Sequence, residues 1–368
     1  VVVSLARPLL RLTVRRPHVL TIAPAPVSDA LLGVRLAAEI ELARRGWPAA
    51  ESPADADLVL VAGEVGPRMA AVVDAVLATV PAPRALVSVD SAGELPEALD
   101  AAVAWLARDG ADATVRSAAR AESASEAIRT STPIGLAASD SRAPSSRPGE
   151  PVMAGLADDD RDGLALDAVH VALGPVLPHW PAGLVVHATL AGDLVTDARA
   201  EVLDVPGPRE PIGPRRTARG PDHLRLDALV RVLGLAGADR AAARARALRD
   251  GDPAPGELPA FGRRLARSRI LAWTLRGIPL SATDHVPVPE TTVEARVRAL
   301  AAGLGGSLAP PVRPAPHRAA AALVGLELGA ARLALAAMDP DTGLGAGPVD
   351  AYRPAAADHD HAGHHGHG

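Results

Sequence analysis

Three segments carry residues whose types and spacing could do chemistry. The stretch 358–368 sets His359, His361, His364, His365 and His367 beside Asp358 and Asp360, and imidazole with carboxylate is a ligand set for nickel or zinc. A glycine-spaced tail has no preorganised geometry, so the expectation is weak, unselective binding or a solvated, disordered terminus. Asp158, Asp160, Asp162 and Gly163 read as the first half of a calcium loop, but the twelfth position, which needs a bidentate carboxylate, is Val169. A complete calcium hand is excluded; a charged turn before a strand, an incomplete divalent-cation site or a partner contact through Arg161 remains. The third segment is a proline-framed turn, Gly174-Pro175-Val176-Leu177-Pro178-His179-Trp180-Pro181. Its one imidazole, His179, sits between two apolar strands. His170 and His187, each alone on those strands, read as hydrogen-bonded structural residues.

Other chemistries are excluded by composition. There is no cysteine, which removes disulfides, thiolate zinc sites and every cysteine-ligated iron–sulfur cluster. The chain has no G-x-S-x-G, P-loop or H-E-x-x-H signature, and the glycines at 343, 345 and 347 lack the strand and helix of a dinucleotide loop. All 38 basic residues are arginine, yet the formal net charge is −5 and the signs are interspersed, so no nucleic-acid partner is expected. The opening residues, broken by Arg7, Arg11, Arg15 and Arg16, lack the long apolar stretch of a leader or span, which gives a cytoplasmic expectation. The longest apolar run, 319–338, contains Glu327 and Arg332 and suits a buried bundle helix better than a membrane span.

These segments need elements to position them. Residues 18–108 alternate short β-branched runs (HVLTI, DLVLVAG, RALVSV) with helical patterns at 27–45, 67–79 and 95–108, the rhythm of a parallel sheet with crossover helices. DLVLVAG is apolar on both faces, as a strand covered on both sides must be. Gly63 and Gly66 close it at the carboxyl edge, where open α/β sheets bind ligands. Residues 111–150 turn Ser-, Ala-, Arg- and Pro-rich and read as a linker with one short helix. A hairpin follows in 151–205, turning at Ala191-Gly192-Asp193, then a Pro- and Arg-rich linker at 206–221. Helices are expected near 223–235, 238–250, 261–276, 290–303 and 316–338, within a helical domain at 222–354 that precedes the tail at 355–368.

Two of these regions resemble known proteins. AEIELARRGWPAAESPADADLVLVAG at 38–63 and GPRMAAVVDAVLATVPAPRALVSVDSA at 66–92 resemble the small, cluster-carrying subunit shared by complex I (NADH:quinone oxidoreductase) and the [NiFe] hydrogenases. Residues 165–203 are similar to the start of the large subunit that partners it in both assemblies. The resemblance implies a flavodoxin-like α/β domain at 1–110, then a β-hairpin and a mainly α C-terminal domain. Where the family's early cysteine pair stands, this chain has Ala25, Pro26, Val27 and Ser28, and where the third stands it has Ser91 or Ala92. In complex I the proline-framed turn carries two histidines of the quinone site; here Leu177 takes the first position and His179 is displaced from the second. The family's quinone-site tyrosine has no counterpart, since the one tyrosine is Tyr352, and the cysteine pairs that hold nickel and iron are missing.

The resemblance therefore implies a cluster-free, non-catalytic peripheral subunit. It would act structurally, or in coupling, beside the proton- or ion-translocating membrane arm of a complex I-like or antiporter-like assembly. No cofactor is expected beyond weak nickel or zinc at the tail, and a quinone remains open at Leu177 and His179. Two other readings stay open: a redox-active NADH:quinone oxidoreductase-type subunit using its neighbours' clusters, and a nickel- or zinc-binding hydrogenase accessory protein.

Overall fold

Four short strands, β1 (Val19–Ile22), β2 (Leu58–Ala62), β3 (Ala85–Val89) and β4 (Ala113–Arg116), pair in parallel in that order. The computed structural model describes residues 16–26, 29–109, 113–116, 152–156, 167–204, 220–280, 288–306 and 308–343, with 29–30, 108–109, 113–116, 152–156 and 167 described as backbone. Every residue of β2 and β3 is buried. Their side chains alternate between two cores because successive strand residues point to opposite faces. Leu58, Leu60, Val87 and Val89 meet Val34 and Leu42 of α1 (Asp29–Arg45) and Leu99 of α3 (Leu95–Asp109). Val59, Val61 and Leu86 meet Met69 and Val73 of α2 (Pro67–Thr79). Outside β1, Ala49 forms a one-residue parallel bridge to Val19, so the order from that edge is Ala49, β1, β2, β3, β4, the order of a flavodoxin-like sheet.

The linker expected from 111 onward begins with a strand, β4, which extends the sheet beside β3. Four residues are too few for a periodic signal, and only the neighbouring strand supplies the reason to pair.

The second lobe opens with an antiparallel meander, β5 (Val152–Leu156), β6 (Asp167–Leu173), β7 (Leu184–Ala191) and β8 (Leu194–Val202), in which β7 and β8 are the expected hairpin. The helices are α4 (Pro221–Leu235), α5 (Asp239–Asp250), α6 (Glu257–Ala266), α7 (Arg269–Thr274), α8 (Val293–Ala302), α9 (Pro316–Ala321) and α10 (Leu328–Met338). Hairpin and helices share one core: Leu184, Val186 and Val195 pack with Leu229 of α4, Val297 of α8 and Leu335 of α10. The boundary drawn at 206–221 thus separates segments that bury a common interior.

Two expected helices are each two. The 261–276 pattern breaks at Ser268, whose hydroxyl accepts from the Leu271 amide at 3.3 Å and starts α7 anew. The 316–338 pattern breaks before α10, where the Val195 amide donates to the Leu326 carbonyl and the Gly325 amide donates back to the Val195 carbonyl. Among the described residues no helix is long and apolar enough to cross a membrane.

Candidate site between the lobes

The hairpin lobe covers the sheet face next to α2, where Val185 and Leu203 join Leu20, Ile22 and Val59 in one apolar cluster. The lobes approach closely at Gly183, where φ is +71° and a Cβ would lie 2.5 Å from the Ala25 amide nitrogen. Ala25 is one of the residues standing where the resemblance places cluster-ligating cysteines, and it is buried against this glycine. Ser91, another such position, accepts the Gly93 amide at 3.3 Å and caps a short 3-10 turn.

A helix N-terminus at the carboxyl edge of a parallel sheet is a ready anion site, because its first amides are unpaired and its dipole is positive there. At α2 the anion is part of the chain. Asp204, just beyond β8, accepts the Arg68 and Met69 amides at 3.1 and 2.7 Å, and Arg68 pairs with Glu201 of β8. The ligand edge suggested by Gly63 and Gly66 is therefore filled by the second lobe; a Cβ on Gly66 would lie 2.5 Å from the Asp204 carboxyl carbon.

Beside this contact runs a buried network of charges. Asp227 of α4 accepts from Arg35 of α1 at 2.9 Å, Arg231 at 2.6 Å and Arg249 of α5 at 2.5 Å. Arg249 also reaches Glu39 of α1 at 2.5 Å and Asp250 at 2.7 Å, and Arg231 continues to Asp339, which Arg313 holds at 3.0 Å. Burial alone would raise the Asp227 carboxyl pKa, but Arg231, Arg35 and Arg249 hold it well below the usual carboxylate range. The same balance, burial against Arg35 and Arg249, leaves Glu39 lowered. Arg249 moves upward despite its burial, because Glu39 and Asp227 favour its charge. The network carries charge across the lobe boundary in a form that neither lobe could bury alone.

Sequence reading did not single out these residues. The available signal was Arg225, Asp227 and Arg231 inside the apolar run of α4, where every residue from 225 to 233 is buried. Charges on the inner face of a helix have to meet opposite charges from another element.

The network forms one wall of a cavity of about 630 Å³ lying between β1, α1, the 174–181 turn, α4, α5 and α10. Leu177 and His179 both line it. With Leu42, Trp47, Val176 and Val230 the lining has an apolar side; Arg246 and Arg332 contribute guanidinium groups. The buried Arg332 Nε meets no hydrogen-bond partner among the described residues. His179 is held with φ +59°, and its ring lies directly over Gly234 of α4, where any Cβ would collide with the imidazole. Burial first, then Arg246 and Arg231, push the His179 pKa below its usual value, so the imidazole is neutral near pH 7. Trp180 beneath the turn is structural, its indole donating to the Leu184 carbonyl at 2.8 Å.

This arrangement suits binding: a compartment with one apolar side, guanidinium groups and a neutral imidazole can hold a molecule with a carbonyl or anionic head. Cysteine is absent from the whole chain, and among the described residues no group of three His, Asp or Glu could hold a metal ion. His170 meets Thr189 at 2.9 Å and His187 meets Glu201 at 3.1 Å, as single strand histidines should. The Asp158 to Gly163 turn, His359, His361, His364, His365 and His367 lie outside the described residues. No family model, curated protein or solved structure matches this chain, and the reading of the site rests on its own residues.

Proposed function

We propose that the chain is a cluster-free, non-catalytic relative of the fused small and large peripheral subunits of complex I-like or energy-converting hydrogenase-like assemblies. In this reading it sits at the cytoplasmic side of a membrane and acts as a structural or coupling element beside an ion-translocating partner. What supports the reading is the use made of the residues that stand where the resemblance places cluster ligands: Ala25 is wedged against Gly183 and Ser91 caps a turn. Alanine and serine cannot replace thiolates at iron. Having both modules on one chain raises their effective concentration for each other, so their interface needs no cofactor to persist.

The cavity supports a second element, a quinone-type molecule beside Leu177 and His179, because its volume lies within the range of small-molecule sites. With no tyrosine among the described residues that line the cavity and no cysteine in the chain to hold a cluster, such a molecule would be held, not reduced. Anaerobic purification followed by iron analysis and visible spectroscopy tests the reading. A colourless protein without stoichiometric iron is expected, and iron–sulfur absorption belonging to this chain would refute it. Titration with a short-chain quinone, read by quenching of tryptophan fluorescence, tests the cavity; quenching retained in Leu177→Asp would place the molecule elsewhere.

A further inference from the structure

From 258 to 283 the chain has five arginines, Arg263, Arg264, Arg267, Arg269 and Arg276, and no acidic residue. Arg263, Arg264 and Arg267 stand at the end of α6, Arg269 opens α7 and Arg276 follows its last turn, and all five are exposed. None of their side chains has an ion pair among the described residues, in contrast to Arg35, Arg231, Arg249, Arg296 and Arg313, each held by carboxylates. The carboxylate lining the shallow groove between α7 and α8, Glu294, is engaged by Arg298 at 2.7 Å.

Within this cationic surface stand Ile270 and Trp273, 79 % and 73 % exposed, the highest values among the exposed large hydrophobic residues described. At helical spacing Arg269, Ile270 and Trp273 share one face of α7, while Leu271 is buried on the other and Leu275, which caps the helix, is buried too. Water gives Ile270 nothing in return for its exposure, whereas a bilayer interface takes up an isoleucine and an indole and pairs guanidinium groups with phosphate. An aliphatic side chain has no face to stack on a base, so the pair favours lipid over nucleic acid.

We propose that the α6–α7 corner is a membrane-surface anchor for bilayers rich in anionic phospholipid, with Ile270 and Trp273 entering the headgroup boundary and the five arginines meeting phosphates. The inference goes beyond the proposed function and does not depend on it, since it needs only this chain and a lipid surface. It gives a chain whose net charge is negative one face that an anionic membrane attracts.

The test is co-sedimentation of the full chain with vesicles of phosphatidylcholine alone and of equal parts phosphatidylcholine and phosphatidylglycerol. Binding is expected with the anionic vesicles only, weakening with salt and falling about fivefold for each arginine removed in the series R267Q, R267Q/R269Q and R264Q/R267Q/R269Q. A blue shift of tryptophan emission on binding is expected to vanish in W273F, in which the buried Trp180 keeps reporting an intact fold. Absence of binding to anionic vesicles, or binding unchanged in the arginine series, would overturn the proposal. Retention on a single-stranded oligonucleotide without vesicle binding would do the same. An iron-containing protein that still binds vesicles would refute the cluster-free reading and leave the anchor standing.

Discussion

Asp227 is the residue on which the lobe contact turns. Three guanidinium groups converge on one buried carboxylate, and removing its charge leaves Arg35, Arg231 and Arg249 underneutralised. Asp227→Asn is expected to cost on the order of 3 to 5 kcal/mol in denaturant unfolding, the scale of a broken buried pair. Acid acts on the same site. With folded pKa values below the unfolded ones, Asp227 and Glu39 contribute stability that is complete above about pH 4 to 5 and is lost as pH falls through their lowered values. His179 adds an earlier step of the same sign: its folded value is also depressed, so from about pH 6.5 downward the unfolded chain takes up a proton that the folded chain resists. His179→Asn keeps a residue tolerant of positive φ and removes that step. Urea unfolding at pH 7 and pH 5.5 should show a smaller pH dependence in the variant than in the parent.

His179 stood out in the sequence through the proline-framed turn and the resemblance that turn carries, and the structure places it and Leu177 on the wall of the cavity. Its charged surroundings were not, because Arg35 and Asp227 are 192 residues apart and nothing local announces their meeting.

At the scale of elements, α2 keeps the bounds the sequence suggests, Pro67 to Thr79, because proline at its first turn fixes φ where no amide partner is needed. What the sequence does not reveal is that its amides are capped from the other lobe by Asp204. Asp204→Ala is expected to cost about 1 kcal/mol by the ordinary value of such a cap. It should also raise hydrogen exchange at the Arg68 and Met69 amides while leaving those of β2 and β3 protected. Protection unchanged at those two amides would contradict the capping role. The strands β2 and β3 were readable because they are apolar on both faces. The break before α10 was not, since an alanine-rich segment carries little periodic contrast to mark an interruption, and neither was the one at Ser268, which rests on a single hydroxyl cap in a stretch, 263–276, without glycine or proline.

The described residues form two lobes joined by an apolar cluster, a cross-lobe cap and a shared charge network, with a cavity left beside them. Contacts of this kind couple the lobes, so calorimetry should show one unfolding transition for the parent and two for Asp227→Asn, in which the α/β lobe and the helical lobe melt apart. The fold class was legible from the alternation of strands and helices; the cavity was not, because it belongs to the meeting of segments from β1 to α10. The central claim is that this joined scaffold survives without clusters in order to serve a membrane assembly. Its most direct test is affinity capture of the tagged full chain from detergent-solubilised membranes, with the stoichiometry of what accompanies it. The account predicts an equimolar multi-spanning, antiporter-like subunit, released neither by salt nor by Trp273→Ala. A chain recovered alone from cells that make such subunits would contradict it.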